Sequence, residues 1–389
     1  MEPLGQSQVF QYLRKLAKDH QITLVSYEKP EDWANITERN ELIDKVRQAG
    51  IRWVPLRYYK RPTAPATAYD LAVGFFVCAY LVLRHQIKIV HARSYVPSVL
   101  ALSLKRLFGT RFIFDMRGFW ADERVDGGQW SKDSQLYKLA KWFEQRFLTQ
   151  ADVVVSLTHA GVAAMGEFPY LQEHLPRFEV ITTCTNLEIF HPRLRPETGH
   201  PQPFTLGYVG TVGGWYLFDP ALECFKVLRE LRADAQLLIL NRGEHDYIRE
   251  RLEANGISAD WVELKRVAHD QVVEEMSRMD AGIFFIKPVF SKRASAATKL
   301  GEFLACGIPC LSNAGVGDME QILQGEDVGV VLRDFNQSAQ ADAVQRLLEL
   351  LGDAHIRERC VATARRYFSL DDGVESYNRI YQSLVNLGR

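Results

Sequence analysis

Lys299 and Glu302 stand one helical turn apart inside the run Ala294-Ser-Ala-Ala-Thr-Lys-Leu-Gly-Glu-Phe-Leu-Ala-Cys-Gly-Ile-Pro-Cys310 and carry the clearest chemistry in the sequence. Small and hydroxyl residues lead into a helix, and the free amides at a helix start receive anions. Thr298 is placed to help cap that start. Lys299 puts a positive charge in the first turn, which is unfavourable for the helix alone but makes sense facing a diphosphate. Glu302 projects from nearly the same face, where its carboxylate can accept both hydroxyls of a ribose. Gly307 ends the helix and Pro309 leads into the next strand. The plain alternative is an ordinary helix–strand corner.

Further candidates sit at strand ends. In Leu206-Gly-Tyr-Val-Gly-Thr-Val-Gly-Gly-Trp-Tyr216, Gly210, Gly213 and Gly214 let backbone amides approach a phosphate or a sugar, although tight turns use the same residue. Arg242, in Asn241-Arg-Gly-Glu244, is either a second cation for the diphosphate or a surface residue. Lys287, Lys292 and Arg293 charge the segment before the signature helix, and Gly315 and Gly317 after it permit close backbone approach. In the first half, His91-Ala-Arg93 and Asp115-Met-Arg-Gly-Phe-Trp-Ala-Asp-Glu123 each follow a strand. Asp115 and Arg117 are candidates for catalysis, or else a buried pair that shapes its loop. Ser156 and Thr158 fit caps of the following helix. No aspartate pair has metal-ligand spacing.

Short β-branched runs alternate with longer amphipathic segments, which predicts parallel sheets with crossover helices and an α/β class. Strands are expected at 22–27, 51–56, 87–91, 111–114, 153–157 and 179–182, then at 205–209, 236–240, 261–264, 282–286, 310–312 and 328–331. Helices are expected at 6–18, 39–49, 69–84, 96–108 and 134–149, then at 219–232, 247–255, 270–278, 298–305 and 339–351. Residues 191–203 hold four prolines and read as a linker. The chain thus divides into a doubly wound domain at 1–190, a second at 204–369, and a last helix within 370–389. In that helix Tyr377, Ile380, Tyr381 and Leu384 follow helical spacing. Ligands are expected in the cleft where the two sets of strands end. Met1–Gly5 already reads as the loop that follows an opening strand. The natural chain is therefore expected to begin roughly 10–15 residues upstream.

A length of 389 residues suits two domains, and 47 Lys plus Arg against 48 Asp plus Glu leave a formal charge of −1. That balance gives no electrostatic ground for a nucleic-acid partner. The six cysteines are scattered without a CxxC pair, which argues against zinc and disulfides and fits a reducing cytosol. Met1 onward is polar and charged and does not read as a signal peptide. Leu71–Leu83 is an apolar run of thirteen residues, short of the roughly 20 that span a bilayer. It reads as a buried helix. A membrane-inserting segment is the alternative, with Tyr58–Arg61 as a basic-aromatic edge able to touch anionic lipid.

Together these segments resemble GT-B glycosyltransferases, family 4 in particular. The family's donor signature runs Pro-Thr-Lys-x-x-Glu-Tyr-Leu-Ala-x-Gly-x-Pro, against Ala297, Thr298, Lys299, Glu302, Phe303, Leu304, Ala305, Gly307 and Pro309 here. Val180–Pro192 is similar to the interdomain motif, with Asn186 where an aspartate is common. Leu206–Tyr216 is similar to the loop that opens the donor domain, and Asn313–Glu320 to the segment facing the nucleotide. The resemblance implies two Rossmann-like domains facing across a cleft, with the last helix packing back on the first. It implies sugar transfer from a nucleotide-diphosphate donor to a hydroxyl acceptor, with retention at the anomeric carbon and without a bound metal or other cofactor. Donor contacts fall to Gly210, Gly213, Gly214, Arg242, Lys287, Thr298, Lys299, Glu302 and Gly315. Catalysis falls to Asp115, Arg117 and Lys299, and the acceptor side to Gly5, His91 and Arg93. The implied acceptor is a glycan or lipid-linked glycan of surface-polysaccharide assembly, handled in the cytoplasm or at the inner membrane face.

Two departures from the family pattern matter. Ala294 replaces the earlier of two glutamates that many members carry with seven residues between them, so the sugar is expected to be read by other groups. Thr211 and residues 215–218 replace a basic pair, which shifts diphosphate charge onto Lys299 and Arg242. A nucleotide-sugar 2-epimerase and a non-catalytic subunit of the same fold are the alternatives. A nicotinamide dehydrogenase ranks last, because no GxGxxG follows the early strands.

Overall fold

The computed structural model describes residues 6–29, 36–59, 63–195, 202–268 and 271–386. In the first half a helical turn at Gln6–Phe10 enters α1 (Gln11–Leu16). Then follow β1 (Thr23–Glu28), α2 (Ile36–Gln48), β2 (Arg52–Arg57), α3 (Thr63–His85), β3 (Ile89–Arg93) and α4 (Tyr95–Phe108). β4 (Arg111–Asp115), α5 (Trp120–Asp126), α6 (Gln135–Gln150), β5 (Val153–Ser156), α7 (His159–Gly166) and β6 (Phe178–Val180) complete it. The second half runs β7 (Thr205–Val209), α8 (Phe218–Leu231), β8 (Gln236–Leu240), α9 (His245–Ala254), β9 (Val262–Lys265), α10 (Val272–Met276) and β10 (Ala281–Ile283). After a short 3-10 turn at Phe290–Ala294 come α11 (Thr298–Ala305), β11 (Cys310–Asn313), α12 (Met319–Gly325) and β12 (Gly329–Leu332). The chain finishes with α13 (Gln337–Leu351), α14 (Ile356–Phe368) and α15 (Leu370–Asn386).

Among the described residues the strands pair in parallel throughout, apart from one isolated antiparallel bridge between Tyr216 and Ile286. The second domain is one six-stranded sheet in the order β12-β11-β10-β7-β8-β9, and the first splits into β3-β4-β5-β6 and a separate β1-β2 pair. Among the described residues β1 pairs only with β2, and β3 only with β4. The loop Met1–Gly5, and with it the acceptor-side candidate Gly5, lies outside the described residues, as do 196–201 of the linker. β5, β7 and β12 are buried at every position, as strands covered by helices on both faces must be. Their unbroken apolar runs, rather than alternating ones, carry that signal in the sequence.

α15 lays Tyr377, Ile380, Tyr381 and Leu384 against Ile113 of β4, Val153 and Val155 of β5, and Tyr12 and Leu16 of α1. Each such buried side chain contributes about 2 kcal/mol, so the helix is held firmly on the first domain. The chain crosses between domains beside Thr185, whose amide donates to Phe368 O at 2.7 Å while its carbonyl accepts from Leu370 N at 3.3 Å. α3 corrects one expectation. It begins two turns earlier than expected, with Pro65 tolerated in its first turn. Nor is it a buried helix: Tyr69, Phe76, Tyr80 and Leu83 are 56–70% exposed.

Candidate active site

In the second domain the strand ends are locked by two buried asparagines. Asn241 donates to Gly210 O (3.0 Å) and accepts from the amides of Gly243 and Glu244. Asn313 accepts from Ile286 N (2.8 Å) and donates to Ile286 O (2.9 Å), tying β11 to the chain leaving β10. These bonds fix the glycine loop, the 286–293 segment and the start of α11 relative to one another.

The N-terminus of α11 has no side-chain cap. Thr298 does not cap it, which corrects the sequence reading: its hydroxyl instead accepts from Gln8 Nε2 of the first domain at 3.1 Å. Lys299 turns inward beneath the glycine loop. Its Nζ lies 3.5 Å from the centroid of the Tyr216 ring and 4.7 Å from that of Tyr208, and donates to Thr211 O at 3.3 Å. Gly210 permits this arrangement. It has φ +94°, and a Cβ there would stand 3.2 Å from Lys299 Cε. Burial pushes the Lys299 ammonium down to about 7, against the opposing charges of Glu302 and Glu244. Burial likewise pushes Glu302 up to about 7, with Lys299 opposing. This pair has too few partners for its charges.

The other donor-side candidates divide. The amides of Val212 and Gly213 are already taken by the Glu244 carboxylate at 3.0 and 3.1 Å, so Gly213 serves an internal bond rather than an open phosphate contact. Gly214 and Gly315 are exposed with φ of +67° and +81°. Arg242 and Lys287 also have exposed side chains. Lys292 was only part of a charged segment in the sequence, yet it is buried over the Trp215 ring (4.0 Å) and paired with Glu123 of α5 at 2.8 Å.

Parallel register sets Arg93 beside Asp115 at the ends of β3 and β4. Asp115 is 1% exposed. It accepts from the Tyr377 hydroxyl (3.2 Å), with His91 Nε2 at 3.5 Å, Arg93 at 3.8 Å and Arg117 at 4.0 Å. Burial opposes its charge, but Arg117, His91 and Arg93 outweigh that and hold the carboxyl at about 2. His91 is fixed from its other nitrogen by Tyr381 at 2.8 Å. Arg117, at φ +61°, and Arg93 both donate to Gln8 Oε1. Gln8 therefore joins the arginines to Thr298, a link that no sequence spacing announces.

The domains also meet directly. Asp318 accepts from the amides of His159 and Ala160 at the start of α7 (2.7 and 2.9 Å), and Asp126 accepts from Ser291 N at 3.0 Å. Thr158 caps α7 as expected, through Gly161 N, and also donates to Arg293 O at 2.7 Å. Phe119 stacks on Phe290 with centroids 5.0 Å apart. Ala294 is 1% exposed within the first domain's core cluster. Here even a Cβ on Gly161 would come within 2.9 Å of it. The position to which the family resemblance assigns a sugar-gripping glutamate is thus filled by domain packing. Among the described residues no cluster of His, Cys, Asp or Glu could hold a metal ion.

The family model for a glycosyl transferase 4-like domain matches residues 6–174, and that for glycosyl transferases group 1 matches residues 191–367. No curated protein matches. Among solved structures, the chain is similar to a sucrose-phosphate synthase from Thermosynechococcus elongatus (TM-score 0.67, 16% identity, 95% of this chain and 100% of that one). It is also similar to a glycosyltransferase from Rickettsia africae (TM-score 0.67, 14% identity, 94% and 99% covered). HepE of Anabaena, in complex with UDP and glucose, superposes with TM-score 0.63 at 13% identity over 94% of this chain and 100% of its own. With both domains matched and two parallel-sheet domains meeting across the locked strand ends, the chain is a GT-B glycosyltransferase.

Proposed function

We propose that this glycosyltransferase moves a sugar from a nucleoside-diphosphate donor to a hydroxyl of a glycan or lipid-linked glycan, with retention at the anomeric carbon. On this proposal it works in surface-polysaccharide assembly on the cytoplasmic side. The observation that carries the reading is the under-compensated pair Lys299 and Glu302 at the uncapped start of α11. A diphosphate beside Lys299 restores a counter-charge to the buried ammonium, and the helix amides share the load. A ribose beside Glu302 gives the carboxylate two hydroxyl donors. The complexes of HepE with UDP, with UDP and glucose and with UDP-glucose support this donor class.

In this reading the acceptor hydroxyl attacks the face from which the diphosphate departs, and a leaving phosphate oxygen takes its proton. The charge that builds on the phosphate is met by Lys299 and the helix dipole, with no metal required. Arg93 and Arg117 face the acceptor from the first domain. Asp115 is a positioning residue rather than a catalytic one, since it is closed in beneath Tyr377 and orients both arginines.

A panel of nucleotide sugars, first for binding by calorimetry and then for nucleotide release, tests the proposal. One donor should bind, release should need an added glycan acceptor, and the product anomer by NMR should match the donor's. Conversion of the donor sugar without acceptor would mean epimerisation instead, and inversion of the anomer would overturn the retaining step.

A further inference from the structure

We propose that the outer face of α3, with α4 and α6 beside it, docks the protein onto an anionic bilayer surface. The inner side of α3 is committed to the fold. Tyr27 of β1 donates to Asp70 O at 2.6 Å, the Asp70 carboxylate accepts from Tyr59 N at 3.1 Å, and Ala79 and Val82 pack on Leu104 of α4. The outer side presents Tyr69, Phe76, Tyr80 and Leu83, each 56–70% exposed. Their spacings of seven, four and three residues place them on one stripe about 21 Å long.

Charge decides what covers that stripe. Asp70 is the one acidic residue of α3, and it is buried. Cations stand at both ends. Arg57 lies over the Tyr59 ring (5.3 Å), which sits edge-on to Tyr69 (5.5 Å), and at the other end Arg84 is exposed. α4 lies between α3 and α6 and adds exposed Arg106 and Leu107. α6 adds Leu136, Leu139 and Trp142, all about half exposed, with Arg146 over the Trp142 ring at 4.9 Å.

Two copies pairing through this stripe would set cation against cation. An anionic lipid surface instead meets the cations with phosphates and the stripe with acyl chains, and tyrosines suit that boundary. One side of α3 is packed on the protein, so the helix lies along the bilayer rather than through it.

The test floats the full chain with vesicles of equal parts phosphatidylglycerol and phosphatidylcholine, against phosphatidylcholine alone. The wild type should float with the anionic vesicles. Arg84→Ala and Arg106→Ala should each lower the bound fraction about fivefold, and the double variant Phe76→Ser, Leu83→Ser should abolish flotation. All four side chains are exposed and outside the donor site, so nucleotide-sugar affinity and thermal midpoint should stay unchanged, which separates this test from that of the transfer reaction. Absence of wild-type flotation, equal flotation of the variants, or a dimer that the double serine variant dissolves would each overturn the proposal.

Discussion

The two domains each place ionisable groups at the carboxyl ends of their strands, and the two clusters are built on opposite principles. Around Asp115 the charges are overpaid: two arginines, a histidine and the Tyr377 hydroxyl converge on one carboxylate and hold it ionised. Around Lys299 and Glu302 they are underpaid. The ammonium has aromatic faces and one carbonyl, and burial draws both groups towards neutrality. Surplus counter-charge holds a buried carboxylate ionised, whereas a buried pair short of counter-charge is, in the proposed reading, completed by a ligand. On the proposed function, this contrast separates the residue that shapes the cleft from those that act in it.

Removing each cluster's central group gives the largest effects, of opposite kinds. Lys299→Met should lower donor kcat/KM by about 10²–10³ fold, yet raise the thermal midpoint, because an ammonium no longer needs to be buried. Asp115→Ala should do the reverse. It strands Arg93 and Arg117 and should cost about 3 kcal/mol of stability in urea unfolding. Its donor affinity should hold wherever the protein stays folded. A Lys299→Met protein that melts earlier and still turns over would erase the contrast.

pH gives a finer probe. In the proposed reading diphosphate binds the charged Lys299, whose folded pKa of about 7 lies below its ordinary range. Above pH 7 binding must therefore take up a proton, and affinity should fall by up to about tenfold per pH unit. Glu302 is raised to about 7, so below that pH its carboxylate is protonated and the ribose contact weakens. Donor affinity should peak near neutrality, and calorimetry in buffers of different ionisation heat should register proton uptake on the alkaline side. Asp115, ionised down to about 2, should add no inflection there. The smallest change is expected from Arg242→Ala. Its side chain is exposed, and donor Kd should move by about twofold or less; a larger loss would make it the second diphosphate cation.

Much of this was legible because periodicity and turn residues act locally. The strands at 205–209 and 236–240, the helix at 298–305 and the apolar stripe of the last helix are found where hydrophobic spacing puts them. α14 was not legible. Its buried face includes Cys360 and Ala364, small residues whose spacing leaves a faint pattern. The exposed face of α3 was misread for the opposite reason: an apolar run states what a helix is made of, not which neighbours cover it.

For the site, the sequence by itself determined the proposed donor-side pair. Lys299 and Glu302 share a helix face by their spacing alone, whereas the uncapped start of α11 was not legible, because the Thr298 hydroxyl expected to cap it meets Gln8 instead. Tertiary structure decided the rest. Gln8 meets Thr298 across 290 residues, Glu123 meets Lys292 across 169, and Glu244 takes the loop amides across about 31. It also decided that Ala294 is a packing residue, since the space for a glutamate is removed by Gly161 and its helix from the other domain. Local spacing fixes which groups share a face; only the closing of two domains fixes which charges find partners and which are left for a ligand.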